Sequence, residues 1–373
     1  MVAPSRISFK SGPQIDMALL VCCVAIATLG LVNLYSATSY YVEAGRKAGL
    51  ADIYVSQVYW IVVGSLLAIL CAVIDYRHYE RLAYVFFAGG IVSLLLVFVL
   101  ARDIRGSVRW IPVGSFHFQP SEFIKILLVL ALAKYLHNDQ RMEPRRWVDL
   151  TVPLGLTAIP VTLVLVQPDL GTSLTYIFTA GSILSMVRIR RRSLFSAAVV
   201  VSVCAPLIWN YVLKGYQKAR ITSFLDPEHD ITGTGWHALQ SKTAIGNGGL
   251  TGCGFMQGTQ NQFGFLPDQF SDFPFAVFAE DWGLLGCSVL IALYAFLCGW
   301  SIHIASQAKD RFGAALAVGI GALFFWHVVA NVGMASGILP VVGITLPLFS
   351  YGGSSILTFM VGLGLLMNVS MRR

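Results

Sequence analysis

Charged residues are scarce in this 373-residue chain, at 12% against 56% hydrophobic residues, and the mean hydropathy is +0.70. This composition excludes an ordinary soluble domain. The chain has no Cys-x-x-Cys pair and no His/Cys cluster with metal-ligand spacing, and its glycines at 246–249 are not followed by the Lys-Ser/Thr of a nucleotide-binding loop. No repeat with a period of roughly 20–50 residues is present, which excludes a repeat architecture.

Long apolar stretches dominate the chain instead. A membrane-spanning helix needs about 20 predominantly apolar residues. By this measure the sequence predicts an all-α, polytopic membrane protein with about ten transmembrane helices, in one domain over residues 1–373. A long structured loop outside the cytoplasm, about 214–273, precedes the eighth helix. The predicted spans are 15–36, 57–74, 82–101, 121–136, 150–166, 170–187, 194–213, 274–300, 312–336 and 347–370.

The basic residues are distributed unevenly between the loops. With the N-terminus inside, the arginine-rich segments at 141–146 and 188–192 and the C-terminal pair at 372–373 face the cytoplasm, in agreement with the positive-inside rule. Both termini are therefore predicted to be cytoplasmic, and the long loop to face outward. The net charge of +7 follows from this bias and from contact with anionic membrane lipids, so no nucleic-acid partner is predicted.

Asp272 stands where the polar loop enters a strongly apolar stretch, in FLPDQFSDFPFAVFAED at 265–281. A carboxylate at the end of a membrane helix raises the free energy of the folded protein unless it has an ion-pair partner, so it is retained for pairing or for function. Asp272 is therefore the first candidate for a functional role.

A second polar segment, GSVRWIPVGSFHFQPSEFIKI at 106–126, leads into the fourth predicted helix. Arg109 suits a phosphate or headgroup contact, and Trp110 suits the membrane interface. Glu122 and Lys125 are three residues apart and share a helical face. Two interpretations stay open for them: a structural ion pair, or a charged wall of a polar cavity. A lipid-exposed pair is not expected, since charge facing lipid is costly.

Three more segments gather on the outward side. In QPDLGTS (167–173), Asp169 is predicted to cap the next helix. In SGILPVVGITLPLFSYGGSS (336–355), Gly and Pro break the backbone at membrane depth, which is tolerated only inside protein or along a cavity. Ser354 and Ser355 there either pack against a helix or bind a ligand. In the long loop, GWHALQSKTAIGNGGL (235–250) predicts an amphipathic helix ended by glycine, and the residues after it favour a binding loop.

In this order, the segments resemble the SEDS family of shape, elongation, division and sporulation proteins. The resemblance runs from GLVNLYSATS (30–39) through GSVRWIPVG, QPSEFIK, QPDLGTS, QSKTAIGNGGLTG, GTQNQFGFLPD, SDFPFAVFAED and ILPVVGITLPLFSYGGSS to LGLLMNV (363–369), nearly the whole chain. The segment GTQNQFGFLP (258–267) is more similar to the RodA-like elongation branch than to the FtsW-like division branch, which stays the alternative.

The resemblance implies a peptidoglycan glycosyltransferase of the bacterial cytoplasmic (inner) membrane, active on the outward, periplasmic side. It implies lipid II, a disaccharide-pentapeptide on undecaprenyl pyrophosphate, as substrate, and a class B penicillin-binding protein and the elongation machinery as partners. Asp272 matches the essential carboxylate of the family, and Glu122 and Lys125 match its polar pair. Phe270 stands where the family usually has His, which argues against a proton relay there, and Pro274 stands where it usually has Ile.

Chain growth of this kind requires a sugar hydroxyl to attack an anomeric carbon that carries a pyrophosphate. A carboxylate acting as general base accelerates such a step roughly 10²–10⁴-fold, the role expected for Asp272. Cations offset charge on the leaving pyrophosphate. A divalent cation, Mg²⁺ or Mn²⁺, is a candidate cofactor there, with no ligands identified by the sequence. The candidate contacts are Arg109, Lys125 and Lys242 for the phosphates, with Trp110, Glu122, Gln260 and Ser354 as substrate-binding or supporting residues.

Two other classes of function fit some of these features. A lipid II flippase or transporter agrees with broken helices and buried charges, but no inverted repeat is visible, and the polar residues gather on one side instead of at the midplane. A scaffold that only recruits the penicillin-binding protein would not need Asp272.

A docking face for the single span of that partner is predicted on the helices near 274–300 and 312–336, because small residues let helices approach closely in lipid. The alternative is that these residues pack within the bundle. The residues that mark this face are Trp300, Gly319, Gly321, Phe324 and Phe325.

Overall fold

Ten long helices make up most of the part of the chain that the structure describes. The computed structural model describes residues 14–43, 51–100, 109–113, 116–139, 141, 143–212, 215–226, 233–266 and 268–373. The long helices are α1 (Met17–Glu43), α2 (Ala51–Val73), α3 (Tyr76–Leu100), α4 (Pro120–Asn138), α5 (Thr151–Val166), α6 (Leu170–Leu184), α7 (Arg191–Leu207), α11 (Pro274–Gln307), α12 (Arg311–Ala335) and α13 (Gly353–Met371). The shorter elements are a hairpin of β1 (Ile111–Val113) and β2 (Phe116–Phe118), a 3₁₀ turn (Trp147–Leu150), α8 (Gly215–Leu225), α9 (Thr234–Gly248) and α10 (Thr259–Gln262).

Each predicted span falls on one of the long helices. Eight helices among the described residues are long and apolar enough to cross a membrane, and α6 is a shorter apolar helix. The prediction of an all-α, multi-pass membrane protein is therefore confirmed, with the hairpin as an unpredicted addition. The predicted helix ends at 101 and 213, and residues 106–108, 227–232 and Pro267 of the predicted loops, lie outside the described residues.

The last helix begins later than predicted, at Gly353 and not at 347. Leu348 has a φ of 62°, in the left-handed region, and Gly352 has φ 163° and ψ 106°, so neither continues a helix. The hydroxyl of Ser350 accepts a hydrogen bond from the amide of Leu346 (2.7 Å) and supports the turn between them. The backbone at 340–352 is thus irregular but enclosed by protein, as the glycine and proline pattern predicts.

Helix α4 lies at the centre of the bundle and contacts α3, α5, α6, α12 and α13. It is buried around its circumference, with Ile124, Leu128 and Leu132 at most 1% exposed. A helix that is apolar on all sides is typical of one surrounded by protein. Glu122 and Lys125, in the first turns of α4, are therefore buried inside the bundle.

The predicted docking face on α12 is wrong for its small residues and for Phe324. A Cβ atom at Gly321 would lie 2.7 Å from the Cβ of Ser301 on α11, and Gly319 packs equally closely against α4 and α6. Phe324 is fully buried, while Phe325 is exposed. The glycines therefore serve helix contacts within the bundle, the alternative that the sequence left open.

The long loop is fixed to α11 through the backbone. Gly283 interrupts α11 with a φ of 62°, so the amides of Leu284 and Leu285 lose their helical acceptors at 280 and 281. These amides donate instead to the carbonyls of residues 249 and 250 (2.9 and 3.1 Å), while the carbonyls of Glu280 and Asp281 accept from the amides of residues 253 and 254 (2.9 and 3.2 Å). The loop thus satisfies all four backbone groups that the break in α11 releases.

Candidate functional site

A cavity of about 970 Å³ opens at the end of the bundle where α4, α6 and α11 begin. Its walls are the hairpin, the first turns of α4 and α6, the loop before α11 and the irregular segment at 342–355. A concave site of this volume with convergent polar groups is the usual form of a substrate site. Six of the eight predicted site residues line it: Arg109, Trp110, Glu122, Lys125, Asp272 and Ser354.

Asp272 occupies the wall of the cavity directly before α11, with its backbone fixed from two sides. Its amide donates to the carbonyl of Asp268 (3.0 Å), and the side-chain amide of Asn331 donates to its carbonyl (2.9 Å) and to that of Ile344 (2.7 Å). An added Cβ at Gly343, whose φ is +69°, would lie 3.3 Å from Asp272 Oδ2. The carboxylate therefore faces backbone that carries no side chain, which keeps the space in front of it open.

The carboxyl group of Asp272 holds its proton more tightly than an ordinary aspartate. Burial raises its pKa from 3.8 to about 6; the negative charges of Asp268 and Asp169 also raise it, while a hydrogen bond from Ser271 and the charge of Arg220 lower it. A pKa near the operating pH is what a general base requires.

Glu122 and Lys125 form the predicted pair inside the cavity, which confirms their contact. Lys125 Nζ lies 2.7 Å from Glu122 Oε1, and the side chains are 2% and 9% exposed. Lys125 Nζ also lies 3.1 Å from His327 Nε2, and His327 Nδ1 lies 3.0 Å from the carbonyl oxygen of Thr345. Because a carbonyl only accepts, Nδ1 carries the hydrogen and Nε2 accepts from the ammonium group.

His327 was not identified from the sequence. It comes from α12, and the signal that pointed to it is a single ionisable residue in the apolar stretch FFWHVVANVG. Such a residue within a membrane span marks a functional or paired position. Its partner lies 202 positions earlier in the chain.

Arg109 is held at the start of α6. Its Nε donates to the carbonyl of Gln167 (3.2 Å), its Nη2 donates to the carbonyl of Pro168, and its Nη1 lies 3.7 Å from Asp169 Oδ2. Asp169 accepts from the amide (3.2 Å) and the hydroxyl (2.9 Å) of Thr172, so its predicted role as a helix cap is confirmed. A guanidinium group is thereby fixed on the cavity wall beside a helix N-terminus.

Trp110 and Ser354 hold the hairpin against the bundle. Trp110 Nε1 donates to the side-chain oxygen of Gln119 (3.2 Å), and the amide of Gln119 donates to Ser354 Oγ (3.1 Å). Ser354 Oγ in turn donates to the carbonyl of His117 (3.3 Å). Of the two interpretations for Ser354, these contacts support packing.

Lys242 and Gln260 are not among the residues that line the cavity. Lys242 lies on the exposed side of α9, and its side chain covers Gly337, where an added Cβ would collide with it. Gln260 lies on α10, where its amide donates to Glu280 Oε1 (3.0 Å). Their contact with a substrate stays a prediction that no feature of the cavity supports.

The described part of the chain holds no group of three or more His, Cys, Asp or Glu side chains placed to bind a metal ion. The oxygens of Asp169 are already engaged by Thr172. The described residues therefore do not form a metal site on their own, and the expected divalent cation stays a prediction.

Comparison with known proteins gives the family. The FtsW/RodA/SpoVE family, described as cell cycle proteins, matches residues 17–373. The chain is 36% identical over 370 residues to the peptidoglycan glycosyltransferase MrdB of Escherichia coli (strain K12), with 99% of this chain and 97% of that protein covered. It is 33% identical to the peptidoglycan glycosyltransferase RodA of Treponema pallidum (strain Nichols), with 96% and 98% covered. A probable FtsW of Trichlorobacter lovleyi is 34% identical, with 96% and 93% covered.

Two solved structures share the fold. A peptidoglycan synthase complex, described as coordinating polymerization and crosslinking, superposes with a TM-score of 0.82 at 32% identity, covering 96% of this chain and 98% of that chain. The rod shape determining protein RodA of Thermus thermophilus superposes with a TM-score of 0.70 at 29% identity, covering 99% of both chains. The chain belongs to the FtsW/RodA/SpoVE family of cell cycle proteins.

Proposed function

We propose that this protein is a peptidoglycan glycosyltransferase that polymerises lipid II during cell elongation, with Asp272 as the general base. Its relatives MrdB and RodA carry the name of that activity, and the elongation role is favoured over the division role of FtsW. The observation that carries the mechanism is one cavity lined by Asp272 and by two cations, Arg109 and Lys125.

In the proposed reaction Asp272 accepts the proton of the attacking sugar hydroxyl. The hydroxyl oxygen forms a bond to the anomeric carbon of the other substrate molecule while the bond from that carbon to the pyrophosphate oxygen breaks. With a pKa of about 6, the carboxylate is ionised at neutral pH and is still a stronger base than an ordinary aspartate. Direct displacement with inversion requires only this carboxylate, whereas a covalent intermediate requires a second one acting as nucleophile.

Arg109 and Lys125 are the groups proposed to bind the leaving pyrophosphate. An ammonium group has three donors, and Glu122 and His327 engage two of those on Lys125, which leaves one for a phosphate oxygen. Arg109 is fixed by two backbone carbonyls at the start of α6. Cations that are already fixed in place stabilise developing charge without having to reorganise. A divalent cation would supply further charge neutralisation, and no step here depends on it.

The lipid tail of the substrate has an apolar approach to the cavity along α2. Val55 and Tyr59 line the cavity and are 63% and 60% exposed, so they face both the cavity and the surrounding lipid. A substrate whose pyrophosphate reaches Arg109 can therefore keep its hydrocarbon chain in the membrane. This is favourable because the apolar surface of the chain stays out of water.

The proposed setting is the bacterial inner membrane, with both termini in the cytoplasm and the cavity open to the periplasm. The arginine-rich segments at 141–146 and 188–192 lie at the end of the bundle opposite the cavity, which supports this orientation. A class B penicillin-binding protein is the proposed partner, by analogy with the solved synthase complex.

The test is polymerisation of lipid II by the purified protein with its partner in liposomes that contain no other glycosyltransferase. We expect Asp272→Asn to lower glycan synthesis at least about a hundredfold, because general-base catalysis is lost. Asp226→Asn, which removes a carboxylate from the same long loop outside the cavity, is the matched control and should keep the wild-type rate.

Two results would contradict the proposal. Retention of more than a few per cent of the activity by Asp272→Asn would remove the residue from the base role. Transfer of fluorescent lipid II across the membrane by the wild-type protein, with no polymer formed, would indicate a flippase instead.

A further inference from the structure

A cavity at the opposite end of the bundle takes no part in the proposed reaction. It has a volume of about 380 Å³ and lies where α4 and α6 end and α12 begins. A second cavity of about 690 Å³ adjoins it, and Arg188 lines both. The two together are called the basic pocket here, after the arginines that line them: Arg141, Arg145, Arg188, Arg190, Arg191, Arg192 and Arg311.

Backbone hydrogen bonds fix the two linkers that build the basic pocket. The amide of Arg145 donates to the carbonyl of Arg188 (2.9 Å), and the amide of Arg190 donates to the carbonyl of Arg145 (3.1 Å). The guanidinium Nε of Arg190 also donates to the carbonyl of Pro144 (3.1 Å). The arginines of the pocket are therefore presented on a fixed frame.

Positive charge in the basic pocket exceeds the negative charge beside it. Among the residues that the structure describes, seven arginines line the two cavities, against two acidic residues, Asp139 and Glu143. Arg141 lies 2.7 Å from Asp149, and Arg145 Nη1 lies 2.9 Å from Asp139 Oδ2. Arg188, Arg190, Arg191 and Arg192 also line the pocket, and Glu143 is the one further acidic residue among its described lining residues, so the pocket attracts an anion.

Arg145 is the most informative member of the basic pocket. It is only 3% exposed, yet its Nε has no hydrogen-bond partner among the residues that the structure describes. A buried guanidinium donor without a partner is costly in a folded protein. A ligand oxygen in the pocket would satisfy it.

We propose that the basic pocket binds the phosphate headgroup of an anionic phospholipid. Guanidinium groups bind phosphate through paired hydrogen bonds, and basic pockets between membrane helices on the cytoplasmic side suit anionic headgroups. Apolar residues complete the lining and suit the start of the acyl chains: Leu136, Met186, Val187, Ala314 and Ala315. Trp147, half-exposed in the linker from α4 to α5, is placed as an interface anchor at the same end.

Native mass spectrometry of the full chain in detergent tests the proposal, with phosphatidylglycerol and phosphatidylcholine as the two probes. We expect tighter binding of phosphatidylglycerol. The double variant Arg188→Gln/Arg191→Gln should lower its affinity roughly tenfold or more. Both side chains are exposed, so the fold is retained. The matched control is Arg77→Gln/Arg81→Gln, which removes two exposed arginines from the same end of the bundle outside the pocket and should change the affinity less than about twofold.

Three outcomes would overturn the proposal. Equal losses in both double variants would mean that only diffuse charge attracts the lipid. An absence of preference for phosphatidylglycerol over phosphatidylcholine would remove the anionic headgroup as ligand. Displacement of the lipid by inorganic phosphate would identify a soluble phosphate compound as the ligand in place of a membrane lipid. None of these outcomes bears on lipid II polymerisation, which occurs at the other end of the bundle.

Discussion

The Glu122–Lys125 pair permits a quantitative test of how the cavity is built. Lys125→Met leaves the buried Glu122 carboxylate without its cation, and Glu122 Oε2 already lacks a hydrogen-bond partner in the described part of the chain. Glu122→Gln leaves the ammonium group with His327 and a neutral amide. Each single change leaves one buried charge without its partner, at a position less than 10% exposed. Breaking a buried ion pair in this way lowers the free energy of unfolding by on the order of 3–5 kcal/mol.

Changing both residues removes both charges, so the double variant should be no less stable than the poorer single variant. The coupling free energy is then expected near the upper end of the usual range, on the order of 3 kcal/mol. Glycan synthesis should follow the same pattern, impaired in each single variant and no worse in the double.

Unfolding free energies measured by SDS titration in mixed micelles, together with polymerisation rates on the same preparations, give the double-mutant cycle. The Arg141–Asp149 pair is a matched control, since its contact is also 2.7 Å but its side chains are 64% and 29% exposed. Its coupling should stay below about 1 kcal/mol. Strictly additive losses at Glu122 and Lys125 would refute the reasoning, because they would mean that the two charges act independently.

Four further predictions concern other parts of the structure. Polymerisation by the wild-type protein should rise through about pH 6 and level off above it, since the proposed base, Asp272, accepts a proton only when it is ionised; a flat rate from pH 5 to 7 would contradict this. Because the folded pKa of Asp272 exceeds its ordinary value of 3.8, its favourable contribution to stability is complete below that value and is lost as the pH rises through 6. Asp272→Asn should therefore melt higher than wild type at neutral pH, and the difference should shrink towards pH 4. Gly248→Ala should lower the melting temperature strongly, since its Cβ would collide with the Ala279 carbonyl, whereas Gly246→Ala on the same helix meets open space and should be neutral or stabilising; equal effects would exclude the contact. Gly321→Leu should destabilise the protein without any partner present, and Gly299→Leu, in open space on α11, should not.

The sequence predicted those features of the fold that depend on neighbours close in the chain. Apolar length located the helices, the spacing of three residues paired Glu122 with Lys125, and the position of Asp169 before an apolar run predicted its cap. The role of His327 in the cavity is not predictable from local sequence, because its contact with Lys125 spans 202 residues. No local pattern encodes which face of α12 meets α4.

The same limit explains the wrong docking face and the observed position of Lys242. Gly319 and Gly321 signal a close helix contact, but their spacing does not say whether the neighbour is another chain or α11 and α4 of this one. The charge of Lys242 and its place in the long loop suggest a phosphate contact, whereas the rotation of α9, set by contacts such as Ser241 with Ala335, places the side chain over Gly337.

The break in α11 at Gly283 affects how the chain enters the membrane. Within hydrocarbon, each backbone group without a partner costs several kcal/mol, and the break releases four of them. Their partners at 249–254 belong to a segment that is synthesised earlier and, in the proposed orientation, is already outside when α11 inserts. Stable insertion of α11 is therefore coupled to docking of that segment, so a substitution in the loop is expected to appear first as an insertion defect, visible as a change in the accessibility of Cys298 to a membrane-impermeant thiol reagent.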